Sequence, residues 1–130
     1  MSVPAHMQSI PDIVKAFAHG STCINRPGAC ILVDAFGTAV GRGYSGSKQI
    51  KCIGLNCSCL EAEERSMLFV DRKHGQKIRT AFTTLPPTLH GALLLAEFGI
   101  EIMYIMENIT HDEKAVYTRI GIAYESLACV

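Results

Sequence analysis

The side chains with reactive or ligating atoms gather in two short stretches. Cys57-Ser58-Cys59 leads into Glu61-Ala62-Glu63-Glu64, and His90 follows the proline pair Pro86-Pro87. Thiolates, carboxylates and imidazoles are the groups that hold zinc, and a carboxylate beside them can move protons as a general acid or base. Plainer readings compete at each place. Cys57 and Cys59 suit a loop as small hydrophobes. Glu61, Glu63 and Glu64 complement the positive end of a helix, and His90 suits the polar first turn of another. Six cysteines, Cys23, Cys30, Cys52, Cys57, Cys59 and Cys129, raise the same choice for the whole chain. A disulfide framework belongs to secreted chains, and the N-terminal MSVPAHMQSIPD has neither a basic nor an apolar signal region. Buried thiols, metal ligands and reactive groups remain. Cys30 reads as core, and Cys23 and Cys129 as structural.

The elements that must position these residues alternate in type. Pro11, Asp12 and the apolar positions Ile13, Val14 and Phe17 start a helix that runs to about His19. Ala29–Val33 is a continuous apolar run of the kind that forms a buried strand. Asp34–Gly37 turns it into a second strand at Thr38–Tyr44, a hairpin. Gly41, Gly43 and Gly46 let backbone approach closely there. Ser45–Ser58 lacks periodicity. A helix is expected from Cys59 to about Asp71, and Lys73–Lys77 is a polar loop. Strand Ile78–Thr84, helix Pro87–Phe98, strand Ile100–Ile105, helix Asp112–Arg119 and strand Gly121–Glu125 follow. Strands separated by helices of this length need crossovers and a covered sheet. The class is α/β, five strands with helices on both faces, one domain over residues 1–130.

Composition removes several functions. The 12 basic and 12 acidic side chains cancel, which argues against an extended nucleic acid as partner. The 48% hydrophobic and 18% charged content excludes a disordered tail. Gly91–Ile105 is interrupted by Glu97, Gly99 and Glu101, short of the ~20 apolar residues of a membrane span. A cytoplasmic location is expected, the host cytoplasm if a phage encodes the chain.

Six short motifs occur in a meaningful order: Ser21-x-Cys23-x-x-Arg26, Gly28-Ala29-Cys30-Ile31-Leu32-Val33, Gly43-Tyr44-Ser45-Gly46, Glu61-Ala62-Glu63, Thr83-Thr84-Leu85-Pro86 and Gly99-Ile100. Together, from about Ile13 to Leu127, they resemble the cytidine/deoxycytidylate deaminase family. The resemblance implies a three-layer α/β/α fold on a five-stranded mixed sheet. It also implies a zinc-dependent hydrolase, in which a His and two Cys hold the metal and a non-ligating Glu moves protons. On this sequence Glu61 stands at the His position, Pro87 and His90 stand at the two Cys positions, and Glu63 stands at the proton shuttle. All three ligand positions differ, and Pro87 has no donor atom. A rebuilt centre would take Glu61, His90 and Cys57 or Cys59; an early helix start would put Cys57 and Glu61 on one face. The resemblance further implies substrate contacts from Arg26, Tyr44 and Ser45, where Ser45 replaces the asparagine of the deoxycytidylate branch, and a homo-oligomer.

Three functions follow. The favoured one is a deaminase-like protein with a degenerate zinc site, a pseudoenzyme kept for binding a small nucleoside or nucleotide, or for assembly. The second is an active cytidine or dCMP deaminase with a rebuilt zinc centre and Glu63 as acid/base. The third is a structural or partner-binding protein with no pocket.

Overall fold

The computed structural model describes residues 3–47, 51–54, 57, 59–68, 70 and 77–128. Ser58, Cys129, the expected end of the second helix at Asp71 and residues 73–76 of the expected polar loop lie outside these. Strand β1 (Ala29–Asp34) is buried at every position, as a strand covered on both faces must be. It pairs antiparallel with β2 (Ala39–Tyr44) on one side and with β3 (Ile78–Thr83) on the other. Strands β4 (Ile102–Ile105) and β5 (Ala123–Ser126) continue in parallel. The five-stranded mixed sheet has the order β2-β1-β3-β4-β5.

Alternation along the strands sorts the core into two layers. Ala29, Ile31, Val33, Phe82 and Tyr104 pack with Ile10 and Val14 of helix α1 (Ile10–Phe17). Cys30, Leu32, Ala81, Met103 and Ile105 face the other way. There they meet Ala62 of α2 (Ala62–Leu68), Ala92 and Leu95 of α3 (Leu89–Phe98) and Tyr117 of α4 (His111–Ile120). Helices therefore cover both faces, as expected. Among the described residues, no helix is long and apolar enough to cross a membrane.

The ends of the helices differ from the sequence reading, for local reasons. Helix α2 begins at Ala62 rather than Cys59, so Cys57, Cys59 and Glu61 lie on the chain leading into it and share no helical face. Helix α3 begins at Leu89 rather than Pro87: Thr88 is its N-cap, and its hydroxyl accepts from the Gly91 amide at 3.1 Å. Gly99 ends α3 in the left-handed region (φ 113°), which delays β4 to Ile102.

One contact places α2. Gly43 pairs with Cys30, and Gly41 with Leu32, on the α2 side of the sheet. A Cβ at Gly43 would stand 2.4 Å from the Ser66 amide nitrogen and 2.7 Å from the Arg65 carbonyl carbon; one at Gly41 would stand 2.7 Å from the Ser66 carbonyl oxygen. The obstacles are backbone atoms, so no rotamer relieves them. Gly43→Ala is expected to cost about 3 kcal/mol or more, read as a fall in the urea midpoint; a change below about 1 kcal/mol would show that the helix can retreat.

Candidate functional site

Two helix starts and two loops meet where β3 ends. The chain entering α2 brings Cys57, Cys59 and Glu61, and the first turn brings Glu63. The loop before β1 brings Cys23 and Arg26, and Ser45 follows β2. These residues, with Leu85 after β3, line an open cleft. A chain with no remaining pocket is not what is observed.

Glu61 stands at the head of α2. Its amide donates to Glu64 Oε1 at 3.2 Å, and its carbonyl receives the Arg65 amide at 3.1 Å. One oxygen of Glu61, Oε1, accepts from the Thr88 hydroxyl, joining the two helix starts. The other, Oε2, is buried without a partner. Opposite, Arg26 donates to the Pro86 carbonyl at 2.9 Å, and the Tyr117 hydroxyl donates to the Pro87 carbonyl at 2.7 Å. The proline turn is thus held from both sides.

Glu63 lies deepest, 5% exposed. It sits against the bare backbone of Gly91, where a Cβ would stand 3.2 Å from its Cδ and Oε2. Burial pushes its carboxyl up to about 7; the charge of Glu61 raises it further, and Arg26 opposes the rise. Near neutral pH this group holds or gives up a proton with equal ease, the condition a general acid–base group or a proton-sharing ligand partner needs. Burial also pushes the Cys30 thiol well above its ordinary range, with the Glu63 charge second, which leaves Cys30 an inert core residue.

Ser45 lines the cleft, but its hydroxyl is engaged by protein. It accepts from the Gly28 amide at 3.0 Å, donates to the Arg26 carbonyl, and lies 2.7 Å from Ser21 Oγ. It shapes the 21–28 loop. Tyr44 stands elsewhere: its ring packs on Phe17, with centroids 5.1 Å apart, and carries the Arg65 guanidinium 4.8 Å from its centroid.

The zinc position implied by the resemblance fails on the side chains present. Pro87 is fully buried and offers no donor. His90 has a 64% exposed side chain, with Nε2 3.6 Å from Glu64 Oε2. Glu61 spends one oxygen on Thr88. The proposed mixed set of Cys57 or Cys59, Glu61 and His90 is not assembled; it separates into two groups. Glu61 and His90 meet with Glu64, whose ligand atoms lie within 4.8 Å of one another.

Cys57 and Cys59 instead meet Cys23 and Cys52, again within 4.8 Å. The Cys23 and Cys57 sulfurs are 3.9 Å apart, close to the spacing of about 3.8 Å that tetrahedral Zn–S bonds of ~2.3 Å require. The Ile24 amide donates to Cys52 Sγ at 3.3 Å. That bond, with a second from Gly54, lowers the Cys52 thiol to about 7, while burial and the neighbouring thiols push Cys59 up to about 12. The donor set fits a closed, structural zinc site. Cys23, read as structural packing, and Cys52, read as a loop residue, are the two members that sequence reasoning missed. The available signal was three thiols within eight residues, Cys52, Cys57 and Cys59; nothing local points to Cys23.

No protein-family model and no curated protein sequence matches the chain. Solved structures do. The dCMP deaminase of cyanophage S-TIM5 in apo form superposes with a TM-score of 0.78 at 20% identity, over 96% of this chain and 99% of that one. Its complex with dCMP and dUMP gives 0.78 and 20% over 98% and 100%. The chain has the deaminase fold. A bifunctional diaminohydroxyphosphoribosylaminopyrimidine deaminase and 5-amino-6-(5-phosphoribosylamino)uracil reductase from Thermotoga maritima matches at 0.63 and 19%, over 92% of this chain and 35% of that one. On this fold the cleft lies at the start of α2, with the buried Glu63 among its lining residues.

The raised Glu63 carboxyl sets a pH dependence. Its folded value lies above the unfolded 4.5, so the folded state keeps a proton that the unfolded chain releases. Stability therefore falls as pH rises from about 4.5 to 7 and then levels. Glu63→Gln should remove this slope and make the chain more stable than the parent at pH 8, on the order of 2–3 kcal/mol. Urea unfolding from pH 5 to pH 8 measures it; parallel profiles for the two proteins would contradict the assignment.

Proposed function

We propose that this chain binds a small cytosine nucleoside or nucleotide in the cleft without the zinc-dependent deamination of its fold, and that it carries zinc in the four-cysteine cluster instead. The observation that carries the reading is Glu63, a buried carboxyl at the floor of an open cleft, beside positions that cannot assemble the expected metal. A carboxyl reads the amidine edge of cytosine by accepting from its exocyclic amine, and one with a value near 7 can also share a proton with the ring nitrogen. Arg26 supplies positive charge at the rim. Without a metal there is no activated water, so binding is separated from hydrolysis. The reading takes the chain as a homo-oligomer: Leu89 and Leu93, one turn apart on α3, are 47 and 43% exposed, apolar side chains that a second copy would cover.

One observation favours an active deaminase instead. Glu61 Oε2 is buried and unpartnered, and Glu61, Glu64 and His90 each offer a ligand atom within 4.8 Å of the others, so these three are the residues that would hold a rebuilt metal. The metal would supply an activated water, and Glu63 would hold the proton beside it.

Calorimetric titration with dCMP and cytidine, alongside an ultraviolet assay of deamination and zinc analysis, separates the readings. Expected are binding of at least one cytosine ligand, no turnover, one zinc per chain, and at least tenfold weaker binding in Glu63→Gln. Turnover with two zinc ions per chain, one of them lost in His90→Ala, would establish the rebuilt centre.

A further inference from the structure

The four cysteines come from two segments that form opposite walls of the cleft. Cys23 belongs to the 21–28 loop, which continues to Arg26. Cys57 and Cys59 belong to the chain that continues through Leu60 to Glu61 and Glu63. Cys23, Cys57 and Cys59 line the cleft, and Cys52 does not. Each wall has its own tie to the body. The Thr22 amide donates to the Ser45 carbonyl at 3.1 Å, and Gly46 and Leu60 exchange backbone bonds of 3.0 and 3.2 Å. Among the described residues from 51 to 60, that exchange at Leu60 is the one bridge outside regular strands, and no helix or strand includes them. What joins wall to wall on this side is the sulfur cluster.

We propose that zinc in the Cys23–Cys52–Cys57–Cys59 cluster is the clamp of the cleft, so that the metal and the cleft ligand bind with positive coupling. This rests on the zinc and nucleotide reading above and adds a linkage between the two sites. Four bonds to one ion tie the sparsely held 51–60 segment to the 21–28 loop, which Ser45 and Arg26 already anchor, and this removes closure entropy that ligand binding would otherwise have to overcome. The four sulfurs fill zinc's coordination, so the ion contributes position and no open site for water. Linkage is reciprocal: whatever factor zinc adds to ligand affinity, the ligand adds to zinc affinity.

The test uses the full chain in three forms: zinc-loaded, stripped by a chelator, and Cys52→Ser, which loses a ligand that does not touch the cleft. Zinc content, dCMP affinity by calorimetry and backbone hydrogen exchange are measured on each. Stripping is expected to weaken dCMP binding at least tenfold. It should speed exchange in residues 22–28 and 59–63 and leave strands β3 to β5 unchanged. Cys52→Ser should match the stripped chain, and in a chelator competition dCMP should tighten zinc by the same factor. Equal dCMP affinity with and without zinc, unchanged exchange at the two walls, exchange that rises throughout the sheet, or a chain that takes up no zinc would each overturn the clamp. If the zinc-loaded chain binds no dCMP, the nucleotide reading fails by itself, and the exchange data alone decide whether the metal holds the walls.

Discussion

The site depends on how closely α2 lies on β2. Two glycines, Gly41 and Gly43, let helix backbone rest on strand backbone with no side chain between them. That contact fixes the depth of the first turn of α2, and with it the depth of Glu63. A helix held farther out would lift Glu63 toward water and release Glu61 from Thr88. The same contact explains why the chain before α2 runs along the cleft: it must descend to a helix seated at sheet level.

Depth has an energetic cost at Glu63, since a carboxyl in this position is hard to ionise. A purely structural role would be filled as well by a neutral side chain, so a carboxyl in this position points to use. Around it, hydrogen bonds join the elements that frame the cleft. The Thr88 hydroxyl reaches Glu61, the Arg26 guanidinium reaches Pro86, and the Tyr117 hydroxyl reaches Pro87. The first joins the two helix starts, and the other two hold the proline turn before α3. In the adjoining loops four thiols converge.

Much of this was legible in the sequence because its signals were local. The apolar run Ala29–Val33, the Gly99 stop and the alternation of strands with helices after Ile78 gave five strands and their order of appearance, and the ordered motifs gave the deaminase fold. Glu63, Arg26 and Ser45, each carried by a local motif, line one cleft. The errors came where local signals compete or where the fold acts at a distance. Acidic residues suit any first turn, so the start of α2 was set three residues early, and with it the idea of Cys57 and Glu61 on one face. Tyr44 was read from a motif, but its ring is claimed by Phe17 and Arg65. Cys23 precedes Cys52 by 29 positions, and only the close approach of two irregular segments reveals them as neighbours.

The central claim, a deaminase-fold cleft whose metal sits beside it on sulfur, is tested most directly by X-ray absorption at the zinc edge of the purified chain. The account predicts a single shell of four sulfur atoms at about 2.3 Å. A shell of oxygen and nitrogen atoms at about 2.0–2.2 Å, weakened by His90→Ala, would place the metal at the helix starts and contradict it.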